Sequence, residues 1–391
     1  MIYLDHQATT PCDPRVVEVM LPWLTDQFGN PHSESHEMGR TAAEVIERSI
    51  SEMAALIGAP ADSMIVTSGA TESNNLAIRG VGLHPRQKKR HLVTVATEHP
   101  AVLDVVADLE REGFRVSRVD AHPNGHPLAG AVDLEKLANT IDDDTALVSV
   151  MWANNEIGTI TPMRDVTQLC HNRGVLVHCD ASQAVGRLPI DVVAEDIDLL
   201  SGSAHKFYGP KGVGFLVAGN GLRRVRLKPQ IVGGGQQQGI RSGTMNPASI
   251  VAMSKAMSLC IDEMEQSNQR VGRLRDNLFR QLSERLGGIE LNGPPLSDNN
   301  RLPGNLNVLL DRIEGEAWMS ATPGVAFSSG SACSSVDPQA SHVIRAIGRS
   351  ESEARRSVRF GIGRFNSNEE ITAAADQLVQ AYEKLVDHGR S

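Results

Sequence analysis

Five places in this 391-residue chain carry residue types suited to chemistry. Lys206 closes Ser203-Ala204-His205-Lys206, directly after the apolar run Asp198-Leu199-Leu200-Ser201. A lysine there cannot easily extend its amine to bulk water, so its proton affinity should fall and the amine become nucleophilic. Asp180 ends the strand-like run from Val175 to Cys179, where a carboxylate is either solvated in a cleft or in need of a cationic partner. Gly69-Ala70-Thr71 follows a strand pattern and opens a helix pattern, so free N–H groups and the helix dipole face any anion placed there. The same residues also read as an ordinary helix cap at Ser68 or Thr71. His99 follows Thr97-Glu98 at another strand end, where its ring can lie over a planar group. Cys333 sits in Ser328-Ser329-Gly330-Ser331-Ala332-Cys333-Ser334-Ser335, among small residues rather than in an apolar periodic segment, and reads as a reachable, reactive thiol.

An anion cradle, a carboxylate and a nucleophilic lysine together suit pyridoxal phosphate. The lysine condenses with the aldehyde, the carboxylate keeps the ring nitrogen protonated, and the ring then accepts electrons from a carbanion.

The elements that must position these residues alternate. Strand patterns cover 64–67, 91–97, 115–120, 146–152, 175–180, 197–203 and 212–217, and helical patterns cover 41–58, 101–113, 134–141 and 166–174. That rhythm predicts an α/β fold with a mostly parallel sheet covered on both faces, and in such sheets ligands gather at the carboxyl ends of the strands. From Pro247 one long helical stretch runs to about Leu286, and shorter strands then alternate with helices. The expected division is a large α/β domain over 15–260 and a smaller α+β domain made of 1–14 and 261–391, which carries Cys333.

Composition excludes several classes. The net charge of −9 and the lack of basic runs with interleaved aromatics argue against nucleic-acid binding, and Arg86 to Arg90 reads as a solvated loop. No apolar stretch approaches the ~18 residues of a membrane span. The opening MIYLD has no basic and apolar leader pattern, and five scattered cysteines without a CxxC pair predict a reducing cytoplasm. Cys12, Cys170, Cys179 and Cys260 read as structural. His32 and His36 lack partners for a metal set and read as loop residues. His178 shares a strand face with Asp180 but reads as packing, and Trp152 stands where it could narrow the cleft.

The chain also resembles the NifS/IscS-type cysteine desulfurases, a branch of the fold type I, class V aminotransferase-like enzymes. The resemblance runs almost end to end, through YLDHQATTP at 3–11, FGNPHSESH at 28–36, TSGATESNN at 67–75, TEHPAVL at 97–103, NNEIGT at 154–159 and HCDASQAVG at 178–186. It continues through SGSAHKFYGPKGVG at 201–214, RSGTMN at 241–246, SSGSACSS at 328–335 and VRFGIGRF at 358–365. It implies that Lys206 holds pyridoxal 5'-phosphate and moves the Cα proton, that His99 stacks on the ring and assists acid–base steps, that Asp180 pairs with the pyridinium, and that Gln183 binds the ring hydroxyl. Thr71, Ala70, Ser203 and His205 would hold the phosphate, with Thr244 supplied by the other subunit of a homodimer. Asn155 and Arg359 would hold the carboxylate of L-cysteine, a role the guanidinium fork also suits on chemical grounds, with Asn30 nearby. Cys333 would take the sulfur as a persulfide, releasing alanine, for delivery to an acceptor protein. An aminotransferase or β-lyase that makes no use of Cys333, and a non-enzymatic sulfur carrier with a vestigial site, are the competing readings. The sequence runs out soon after its last helical pattern, where family members that feed an iron–sulfur scaffold often continue. The acceptor therefore stays open among a scaffold, a thiolation protein and another carrier, as does preference between cysteine and selenocysteine.

Overall fold

The computed structural model describes residues 1–223, 225–297, 299–329 and 340–388. A short strand β1 (Ile2–Tyr3) opens the chain. Seven strands then build the central sheet: β2 (Met64–Thr67), β3 (His91–Val95), β4 (Arg115–Val119), β5 (Thr145–Met151), β6 (Leu176–Asp180), β7 (Leu199–Ser203) and β8 (Gly214–Ala218). Their order is β2-β8-β7-β6-β5-β3-β4, and only β8 runs against the rest. The inner strands β3 and β5 are buried along their whole length, as expected where helices cover both faces. Helices Glu37–Leu56 and Pro247–Asp262 pack together on one side of the sheet, and Ala70–Gly82 and Pro100–Arg111 pack together on the other. Because β2, β5, β6 and β7 are mutually parallel, Thr67, Met151, Asp180 and Ser203 end on the same edge of the sheet.

A second apolar core lies around β9 (Glu290–Leu291), β10 (Asn305–Leu309) and β12 (Ser357–Gly361), an antiparallel sheet in the order β12-β10-β9, while β11 (Val325–Ala326) pairs in parallel with β1. Trp318 is its largest buried side chain; it packs edge-on against Phe327, Phe360 and Tyr382, and its indole N–H donates to the Leu378 carbonyl at 2.9 Å. Helices Met264–Arg285 and Asn368–His388 cover this sheet.

The expected single helix from Pro247 to Leu286 is two, broken at Glu263, whose backbone (φ −96°, ψ 3°) leaves the helical region. Neither glycine nor proline marks the break. Glu263 pairs there with Arg15 at 2.6 Å and Arg364 at 3.4 Å, and the two helices bury their apolar faces in different cores. No helix among the described residues is long and apolar enough to cross a membrane.

Candidate active site

A cavity of about 500 Å³ opens where the carboxyl ends of β2, β5, β6 and β7 meet. Its walls include Gly69, Ala70, Thr71, His99, Asn155, Asp180, Gln183, Ser203, His205 and Lys206, drawn from segments far apart in the chain.

Lys206 ends a short turn, Ala204–Lys206, that follows β7. Its Nζ donates to the carbonyls of Gln7 at 2.7 Å and Ala8 at 2.8 Å. Gln183 reaches the same Gln7 carbonyl with its Nε2 at 2.9 Å, while its Oε1 is buried without a partner. Asp180 is 3% exposed and accepts from the Asn74 amide at 2.8 Å and the Ser182 N–H at 2.9 Å. The polar partner that a buried carboxylate requires is thus a neutral amide rather than a cation.

At the opposite wall, neither Ser68 nor Thr71 caps the helix Ala70–Gly82. The N-cap is Gly69, and no side chain satisfies the first N–H groups. Gly69 holds φ 151° and ψ 179°, a region open essentially to glycine alone. Donors at this helix end therefore point into the cavity, beside Ser203 and His205. Burial, then Lys206, Lys211 and Arg187, lower the His205 pKa to about 4, so its ring is neutral; its Nδ1 lies 3.0 Å from the Thr9 hydroxyl. Glu72 also lines this end, but Arg241 engages both its oxygens, at 2.8 and 3.2 Å. Burial pushes the Glu72 carboxyl up, and hydrogen bonds from Arg241 and Ser68 outweigh it and hold the group below its usual value.

His99 caps helix Pro100–Arg111, its Nδ1 accepting from the Ala101 N–H at 3.1 Å. That bond leaves the ring proton on Nε2. Burial is the main reason its pKa is lowered; Asp180 opposes that, Lys206 and His342 add to it, and the net direction is down, which leaves the ring neutral at pH 7.

Arg359, on β12, is 2% exposed and lies behind the cavity wall. Its Nη1 donates to the Asn155 carbonyl at 3.0 Å, its Nη2 to Asp5 at 2.7 Å, and its Nε has no partner. Asn30 is exposed, accepts from the His32 N–H at 3.0 Å and does not line the cavity. Thr244 is exposed on the segment before helix Pro247–Asp262 and does not line it either. Cys333 lies outside the described residues.

The remaining cysteines are poor nucleophiles. Burial pushes the Cys170 thiol up to about 12, Cys260 up to about 11 and Cys179 well above its ordinary value, and it also raises Cys12. His178 is fully buried between the Ser149 and Ser201 hydroxyls, at 2.8 and 2.9 Å. His36 caps helix Glu37–Leu56 by accepting from the Gly39 N–H, and no metal-binding group of three His, Cys, Asp or Glu occurs among the described residues. Trp152 does not narrow the cleft: Met151 and Ala153 face the cavity, and Trp152 packs into the first core.

Two contributors escaped the sequence reading. The strap His6 to Thr10 walls the cavity with backbone carbonyls, whose roles no side-chain pattern can announce. Asn74, one helical turn beyond Ala70, was signalled only by its place on the helix face above Asp180.

The aminotransferase class-V family model matches residues 2–373. The chain belongs to the class-V aminotransferase family. It is 45% identical over 384 residues to the cysteine desulfurase IscS of Rickettsia africae (strain ESF-5), covering 98% of this chain and 92% of that relative. Among solved structures, a NifS-like protein aligns at a TM-score of 0.89 with 33% identity, over 98% of this chain and 99% of the other. The protein SspA, in complex with cysteine, aligns at 0.80 with 32% identity, over 94% and 100%.

Members of this family are pyridoxal 5'-phosphate enzymes, and this cavity fits that cofactor. The unsatisfied N–H groups behind Gly69 match a phosphate, the partnerless Gln183 Oε1 and Ser182 Oγ are polar atoms awaiting a ligand, and Asp180 lacks only a cation.

Proposed function

We propose that this chain is a cysteine desulfurase that converts L-cysteine to L-alanine and takes the sulfur on Cys333 as a persulfide for an acceptor protein. Pyridoxal phosphate supplies the electron sink that makes the Cα proton of cysteine removable. The Lys206 amine, held by two backbone carbonyls, carries the cofactor and then moves that proton. Asp180 holds the proton on the ring nitrogen, Gln183 holds the ring hydroxyl, and Gly69, Ala70, Thr71, Ser203 and His205 hold the phosphate. His99, neutral with its proton on Nε2, would cover the ring and present that N–H to substrate or thiol. Asn155 and Arg359 receive the substrate carboxylate, which takes over the guanidinium now occupied by Asp5. The step balances: the cysteine Cβ–S bond breaks, a bond forms between that sulfur and Cys333, and protons return to carbon to give alanine.

One observation carries the role of Cys333. Both described flanks of its segment are fastened to the site. Ser328 exchanges backbone hydrogen bonds with Arg359, at 3.1 and 2.6 Å. On the return side Ser341 binds Glu156, next to Asn155, and His342 lies 2.8 Å from the carbonyl of Glu98, next to His99. Replacing Cys333 with alanine is expected to abolish alanine formation from cysteine while the cofactor absorbance stays. Wild-type alanine formation in that variant would overturn the role of Cys333, and pyruvate or 3-mercaptopyruvate in place of alanine would instead support the β-lyase or aminotransferase reading.

The same reading extends to assembly. A homodimer, measured by sedimentation, would bring the exposed Thr244 of each subunit to the phosphate of the other. The two apolar cores support a division into 15–260 and 1–14 plus 261–391, with the site along their junction. Cytoplasmic residence fits the free thiols Cys12, Cys170, Cys179 and Cys260.

A further inference from the structure

Behind Lys206, on the side away from the cavity, stands Arg187. Its Nη2 donates to the backbone carbonyl of Lys206 at 2.7 Å and its Nη1 to that of Gln183 at 3.2 Å. The side chains of those two residues converge elsewhere, on the Gln7 carbonyl, at 2.7 and 2.9 Å. Two main chains are thus pinned on one guanidinium and two side chains on one carbonyl, which fixes the turn after β7 against the segment after β6. The Arg187 carbonyl in turn accepts from Asn268 at 2.7 Å, on helix Met264–Arg285, whose apolar face builds the second core.

Arg187 is an unusual choice for a structural pin. No Asp or Glu pairs with it among the described residues, and Tyr208 and Cys260 are the groups of opposite tendency nearest it. Its other neighbours border a cavity of about 40 Å³ shared with His6, Glu263 and Arg364, room enough for a water molecule. A half-buried cation that faces only carbonyls loses part of its hydration without the Coulombic return of an ion pair. The charge acts on the neighbouring rings in the same direction as burial, second to it at His6 and behind Lys206 and Lys211 at His205. The charged and titratable groups around the Lys206 turn are His205, Lys211 and Arg187 on one side and Asp180, His99 and the Arg241-paired Glu72 across the cavity.

We propose that Arg187 is a positioning residue that sets the Lys206 amine against Gln183 and, through its charge, favours the neutral amine that attaches the cofactor. This rests on the cofactor roles given above to Lys206 and Gln183, and not on Cys333 or on cysteine as substrate. The fork separates geometry from charge, and two variants separate them in turn.

The test uses Arg187→Gln and Arg187→Lys holoenzymes, with three readouts: loss of cofactor to a scavenger, the pH midpoint of the cofactor absorbance, and thermal stability of the apoprotein. In Arg187→Gln cofactor loss should be at least about tenfold faster, and the midpoint should rise by about one pH unit. Arg187→Lys keeps the charge but not the fork, so its midpoint should stay near wild type while cofactor loss is accelerated. Wild-type retention and midpoint in a folded Arg187→Gln would overturn the proposal. So would equal losses of retention and apoprotein stability in both variants with an unmoved midpoint, the mark of a merely structural role. If Arg187→Gln does not fold, Arg187→Lys decides: accelerated loss at a wild-type midpoint and wild-type apoprotein stability supports the proposal, and wild-type retention, or retention and stability lost together, sinks it. A wild-type protein that forms no alanine from cysteine would defeat the desulfurase reading and leave these readouts intact.

Discussion

Arg359 shows how far a single residue type can be read. Its chemistry, a bidentate fork for carboxylates, is legible in any sequence. Its present partner is not: Asp5 lies 354 positions away and occupies one arm, while the Asn155 carbonyl takes another. A substrate carboxylate must compete with Asp5 for the fork, so recognition depends on geometry as well as charge. Lysine in its place keeps the charge and loses the parallel donors. Arg359→Lys is therefore expected to raise KM for L-cysteine at least about tenfold, the equivalent of one to two charge-assisted hydrogen bonds, with a smaller fall in kcat. Steady-state alanine release measures both; an unchanged KM would remove Arg359 from substrate binding.

At the scale of elements, the strands of the central sheet were the most legible part of the chain, because their unbroken apolar runs end in polar clusters. Met64–Thr67 is observed as expected, and β3 to β8 fall within two residues of their patterns at either end. What the local sequence could not disclose are contacts made at long range. Gln237, in a left-handed conformation (φ 49°), pairs both its amide oxygen and nitrogen with the backbone of Val66 and so covers the open edge of β2. The break at Glu263 likewise answers to Arg15 and Arg364, not to any helix-stopping residue. Gly69 is the converse case, a local requirement that a motif announces. An alanine Cβ there would meet the Ser203 hydroxyl at an ordinary 3.6 Å, so the cost is conformational, not steric. Gly69→Ala should cost about 1–3 kcal/mol of strain or turn the free N–H groups that follow it, at the start of helix Ala70–Gly82, away from the phosphate. Either way cofactor affinity should fall at least about tenfold, measured by equilibrium titration of the apoprotein. Wild-type affinity would show that the cradle is not at this helix end.

Across the whole molecule, buried ionisable groups of opposite behaviour surround the site and should shape stability against pH. His6 and His205 are pushed down to about 4, chiefly by burial, and His178 is pushed the same way. An unfolded histidine binds its proton near 6.5, so between about pH 4 and 6.5 the unfolded chain holds more protons and stability rises with pH. Glu98 and Glu156 act in the other direction. Both are raised by burial, Glu98 well above 4.5 and further by Asp180. Above pH 4.5 the folded chain keeps protons that the unfolded chain has released, so stability falls as pH climbs toward their folded values. Below pH 6.5 these three histidines, with His91, His99 and His122 lowered alike by burial, outweigh the two glutamates; above it the glutamates act alone until the cysteine range is reached. Thermal stability should therefore peak near pH 6.5. Glu98 accepts from the Met151 N–H through one oxygen, a bond that glutamine can keep, while its other oxygen is buried without a partner. Glu98→Gln removes a group that must hold a proton to stay folded, at about 1.4 kcal/mol per pH unit while it remains protonated. The variant's Tm minus that of the wild type should thus grow between pH 6 and 8, by about 1–2 °C per pH unit. Cofactor-linked protons are common to both proteins and cancel in the difference. A difference that stays flat or shrinks over that range would mean that Glu98 is ionised in the folded protein, and that the carboxylate next to His99 adds a second negative charge to Asp180 at the floor of the site.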